Sequence, residues 1–107
     1  MTAATIEPTS HGFSVQGDIN HANASTVLHD GCDVLRSQGD ASATIDLRNL
    51  ASDVGSVAVA LMVAWYRFAT KAELEVMFTG VPNSLTKIIE FSGLTETLPV
   101  EEPMDGR

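Results

Sequence analysis

Between Gly12 and Gly17, apolar Phe13 and Val15 alternate with polar Ser14 and Gln16. A period of two marks a half-buried strand, so His11–Gly17 is read as one. Ahead of it, Thr2–Glu7 is a β-branched stretch ending at Pro8, an edge strand forming a hairpin with the second. The period then changes. Ala24, Val27, Leu28, Cys32 and Leu35 recur at helical spacing up to Ser37 or Gln38, where Gly39 is a natural stop. Asn20 or Asn23 can cap this helix. Ala43–Leu47 is a compact β-branched run suited to a central strand, followed by a polar loop from Arg48 to Ser56.

The long apolar run from Val57 to Phe68 exceeds the usual strand length and carries Ala, Leu and Met, so it is read as a helix. Val57, Leu61, Ala64, Trp65 and Phe68 form its inward stripe. Val59, Met62, Val63 and Tyr66 are surplus apolar groups, either covered by neighbouring helices or left for a partner. Glu73–Thr79 reads as a strand and Gly80–Pro82 as a turn. A helix over Leu85–Phe91 follows, capped by Asn83 or Ser84 and ended by Gly93, and Leu98–Val100 is a short closing strand. The order ββαβαβα(β) predicts an α/β domain over residues 1–100: a four- to five-stranded mixed sheet with about three helices, mainly on one face. Residues 101–107 are expected to be a flexible acidic tail.

Composition adds exclusions. Fourteen Asp and Glu against six Lys and Arg give a net charge of −8, the wrong sign for neutralising phosphates, so no nucleic-acid partner is expected. No apolar run reaches the ~18 residues of a membrane span, so direct membrane insertion is not expected either. The single Cys32 excludes an internal disulfide and fits a reducing compartment. Its spacing with Leu28 and Leu35 marks it as buried filler.

Candidate chemistry is sparse. His11, His21 and His29 have no close Cys, Asp or Glu completing a ligand set, so no metal site is expected. Asp53-Val54-Gly55-Ser56 lacks the glycines and lysine of a phosphate loop, and no cofactor is implied. Asp46 and Asp53 are read as a strand and a turn residue rather than a catalytic pair. The domain is expected to be non-enzymatic.

Several segments together resemble the STAS family, which includes bacterial anti-anti-sigma factors. Gly17-Asp-Ile-Asn is similar to its turn after the second strand, and Ala43-Thr-Ile-Asp-Leu-Arg-Asn-Leu to its third strand. Asp53-Val-Gly-Ser-Val-Ala-Val-Ala-Leu resembles the signature opening its second helix, and Leu74–Leu94 its fourth strand, turn and third helix. The resemblance implies the STAS fold and a docking surface at Asp53, Val54, Gly55 and Ser56, to which the surplus Val59, Met62 and Val63 are added. Relatives switched by phosphorylation carry a hydroxyl just after the signature Asp, where this chain has Val54. Ser56, where glycine is usual, is the remaining candidate phosphoacceptor, and Ser52 lies on the other side of Asp53.

A small acidic STAS protein of this kind resembles the MlaB-type group. That resemblance implies a regulatory subunit docked on the cytoplasmic ATPase, and with it the permease, of a phospholipid ABC transporter. Its expected location is the cytoplasmic side of the inner membrane. The alternative is an anti-anti-sigma factor binding a switch kinase. Self-association is left open.

Overall fold

The computed structural model describes residues 4–39, 41–51 and 55–101. The elements run β1 (Thr5–Thr9), β2 (Gly12–Gly17), α1 (Ala24–Gln38), β3 (Ser42–Leu50), α2 (Ser56–Lys71), β4 (Glu75–Thr79) and α3 (Asn83–Phe91). The four strands form one sheet in the order β1-β2-β3-β4. The first pair is a hairpin and antiparallel, whereas β2, β3 and β4 are mutually parallel, each reached through a helix.

The alternation seen in β2 sets the faces. Phe13 and Val15 are buried, as are Ala43, Ile45 and Leu47 of β3 and Val76 and Phe78 of β4. All turn toward the helices. On the other face Thr44 and Glu75 are exposed, and Met77 is 41% exposed. The mixed sheet with its helices on one face is the architecture expected from the sequence.

Strand β3 is longer than its β-branched core suggested. Its register against β2 shifts between Ser14, opposite Asp46, and Gln16, opposite Asn49. One extra residue makes Arg48 and Asn49 both face solvent before Leu50 turns back into the core. The bulge breaks the alternation, and this is why Arg48–Leu50 reads as loop in the sequence.

Two helix starts also differ from expectation. Asn20 does not cap α1; its carboxamide oxygen accepts the N–H groups of Ala22 and Asn23 at 2.8 and 3.1 Å, forming a turn before the helix. Asn23 occupies the cap position, but its own oxygen accepts from the N–H of Asn20. Helix α3 starts at Asn83 behind an extended Pro82, with no side-chain cap from Asn83 or Ser84. The closing strand reduces to one parallel bridge between Phe78 and Val100.

Helix α2 lies between α1 and α3 and also touches β4. Trp65, 1% exposed, joins three elements: its indole N–H donates to Leu28 O at 3.1 Å, and its ring meets Phe13 edge-on at 5.0 Å. Gly31 makes room. A Cβ there would stand 2.6 Å from Trp65 Nε1 and 2.8 Å from Phe13 Cζ.

Candidate functional site

Parallel β2, β3 and β4 end on one edge, and each feeds a helix there. Loops at this edge of an α/β sheet are where such folds bind. Gly55 precedes α2 and Ser56 begins it, exposed and, among the described residues, with no side-chain cap over the helix start. The first turn carries no acidic residue. The first-turn N–H groups give this end a partial positive charge that no acidic residue of that turn compensates. Asp53, Val54 and Ser52 lie outside the described residues.

The structure divides the sequence-predicted partner residues. Val59 and Met62 are 5% and 1% exposed, buried under α2 rather than displayed. This corrects their assignment as docking residues: a helix flanked by two others and a sheet covers most of its circumference internally. Val63 is half-buried, and Ser56 is exposed. Seven residues apart, these two share one face of α2. Exposed Ala60 sits between them and exposed Arg67 lies one turn beyond, so the outward stripe is Ser56, Ala60, Val63 and Arg67. Ala60 was not singled out from the sequence, although its spacing of four from Ser56 and three from Val63 was available.

At the same edge of the sheet, beside the end of β3, lies the β4–α3 turn. Gly80 has φ of +63°, and a Cβ there would stand 2.7 Å from Arg48 Cβ and 2.9 Å from Asp46 Oδ1. Only glycine fits without displacing β3. Asp46 Oδ1 accepts from Arg48 twice, from the backbone N–H at 3.0 Å and from Nε at 3.3 Å, so its role is to steady the bulged strand. A groove of about 520 Å³ opens here between α3 and the 95–101 segment.

Elsewhere the chemistry is thin. His29 Nδ1 lies 3.4 Å from Asp33 Oδ2, and Asp30 completes a group whose donor atoms lie within 4.8 Å of one another. This corrects, for His29, the reading that no close Asp completes a ligand set. All three are exposed, and Asp33 is also held by Arg36 at 2.7 Å. Cys32 is half-buried, and burial pushes its thiol above the ordinary range, the reverse of an activated nucleophile. Among the described residues no helix is long and apolar enough to cross a membrane.

A family model described as Mlab, STAS domain matches residues 3–100. No curated protein matches the chain. Among solved structures, a chain of the Acinetobacter MlaFEDB complex in an ATP-bound conformation is similar at a TM-score of 0.73 and 28% identity, covering 83% of this chain and 92% of that one. An anti-sigma factor antagonist from Mycobacterium paratuberculosis is similar at 0.72 and 21% identity, covering 95% and 86% of the two chains. The anti-sigma factor antagonist SpoIIAA, in its unphosphorylated form, follows at 0.68 and 14%, covering 95% and 90%.

Proposed function

Since the chain belongs to the Mlab, STAS-domain family, we propose that it is a non-catalytic subunit docking on the cytoplasmic ATPase of an Mla-type phospholipid ABC transporter at the inner membrane. The observation that carries this reading is the 28% identity to a chain of the MlaFEDB complex over 92% of that chain. The two anti-sigma factor antagonists, at 21% and 14%, share the fold. We place the end of the domain at residue 100, with Glu101 still bonded to β4 and the acidic Glu102 and Asp105 beyond it.

The docking surface proposed is the β3–α2 junction, Asp53 to Ser56, continued along α2 by Ala60 and Val63. Small side chains on a helix face let another backbone approach closely, and half-buried Val63 supplies apolar contact area. The rival, an anti-anti-sigma factor, draws on the same surface but needs a phosphoacceptor after Asp53. Val54 has no hydroxyl, which favours the transporter reading.

Affinity purification from the native host tests the proposal directly. An ABC ATPase is expected to co-purify; recovery of a sigma-factor kinase with no ATPase would overturn it. Intact-mass measurement after incubation with host lysate and ATP is expected to show no added phosphate. Stoichiometric phosphate on Ser52 or Ser56 would restore the rival.

A further inference from the structure

Resting on that docking role, we infer that the groove between α3 and the 95–101 segment receives a basic polypeptide segment of the partner, one that seats an apolar side chain between flanking Lys or Arg residues. The site is separate from the outer stripe of α2. Its wall and floor carry Val81, Ile89 and Val100, and its volume of about 520 Å³ lies within the range of concave binding sites, roughly 300–1,000 Å³.

Charge selects the occupant. The one cation lining the groove, Arg48, is already compensated by Asp46. The two lining acids, Glu90 and Glu101, are exposed and have no ion-pair partner among the described residues. The uncompensated charge is therefore negative. Both carboxylates also stand on fixed backbone: Glu90 belongs to α3, and the N–H of Glu101 donates to Phe78 O at 2.8 Å. With the backbone held on both sides of the apolar floor, the groove itself has only side-chain rotamers to order on binding.

Two other occupants fit poorly. The chain's own continuation carries Glu102 and Asp105 against a single Arg107, so it brings like charge to the acidic lip. A second copy brings its own net charge of −8. A basic partner segment is the complement.

The test uses ¹⁵N-labelled full-length protein titrated with a capped Lys-Leu-Leu-Lys peptide and its Glu-Leu-Leu-Glu counterpart. Saturable shifts are expected at Thr86, Ile89, Val100 and Glu101 with the basic peptide only. The double variant Glu90→Lys/Glu101→Lys should weaken them at least tenfold, as should Thr86→Trp, which fills the groove. Absence of saturable shifts there, equal binding of both peptides, or an unaffected double variant would overturn the inference. The docking role fails separately: a groove that takes the basic peptide while no ATPase co-purifies removes the transporter and keeps the groove. An ATPase bound equally by wild type and the double variant does the opposite.

Discussion

Helix α2 has two sides that the same apolar alphabet writes differently. Its inner side, Ala58, Leu61, Met62, Trp65 and Ala69, is buried against α1, α3 and the sheet. Its outer side, Ser56, Ala60, Val63 and Arg67, is small, partly apolar and faces out. The inner side combines one large ring with alanines that let the helix lie close to its neighbours, and it specifies the fold. The outer side contributes little packing and is free to serve recognition. A residue's hydrophobicity does not separate the two roles here; its position around the helix does.

The largest effect should come from breaking the inner side. Trp65→Ala removes the ring that joins α1, α2 and β2 and is expected to cost about 3–5 kcal/mol, read by denaturant unfolding. A loss below about 1 kcal/mol would show that Trp65 is not the centre of that packing. Gly31→Ala attacks the same contact from the α1 side. Its new Cβ would stand 2.6 Å from the indole nitrogen, so an overpacking cost of about 1–3 kcal/mol is expected. The double variant Gly31→Ala/Trp65→Ala should lose less than the sum of the two single losses, because the clash disappears with the ring.

The outer side should respond in the opposite sense. Ala60→Arg places a good helix former at an exposed position and should change stability by no more than about 0.5 kcal/mol. On the docking role proposed above, affinity for the ATPase should fall at least tenfold, about 1.4 kcal/mol, in a surface-binding titration. Unchanged affinity would place the interface elsewhere on the domain.

The smallest effect concerns Cys32, which lies on the neighbouring α1 and is half-buried. Burial raises its thiol pKa in the folded protein, opposed in part by Arg36. The thiol of the unfolded chain therefore ionises at lower pH, and at alkaline pH the unfolded state binds fewer protons. Stability should be unaffected below about pH 8 and decline slightly as pH rises through the thiol range, while a Cys32→Ala variant should lack that decline. Alkylation by iodoacetamide at pH 8 should be slower in the native protein than in denaturant.

Much of the fold was legible because most elements display their period. The alternation in β2 and the helical spacing in α1 each contrast apolar with polar positions, and the structure forms both elements as read, although Cys32, read as buried, is half-buried beside the buried Val27, Gly31 and Leu35. In α2 that contrast fails. With apolar residues on nearly every side, the stripe through Val57, Leu61, Ala64, Trp65 and Phe68 was as good a reading as the true inner set, which shares Leu61 and Trp65 with it and otherwise lies about one residue further round. Val59 and Met62 were offered to a partner for the same reason: their cover comes from α1, α3 and β4, which are distant in sequence. The β3 bulge was illegible for another reason, since an extra residue imitates the end of a strand. The parallel-strand edge, by contrast, could be anticipated from the order of elements and from Asp53–Ser56, whereas the Glu90 and Glu101 pairing across a groove depends on a chain reversal that no local pattern announces.

The single bridge from Val100 to Phe78 carries a consequence for biosynthesis. Phe78 donates its N–H to Pro99 O and accepts from the N–H of Glu101, at 2.9 and 2.8 Å, so the outer margin of β4 is finished by residues synthesised some twenty positions later. Whenever residues 99–101 are not in place on an exposed β4, that margin is an open template to which another chain could pair. Emergence of residues 99–101 closes it, so protection from strand exchange waits on those three residues rather than on the completion of the core.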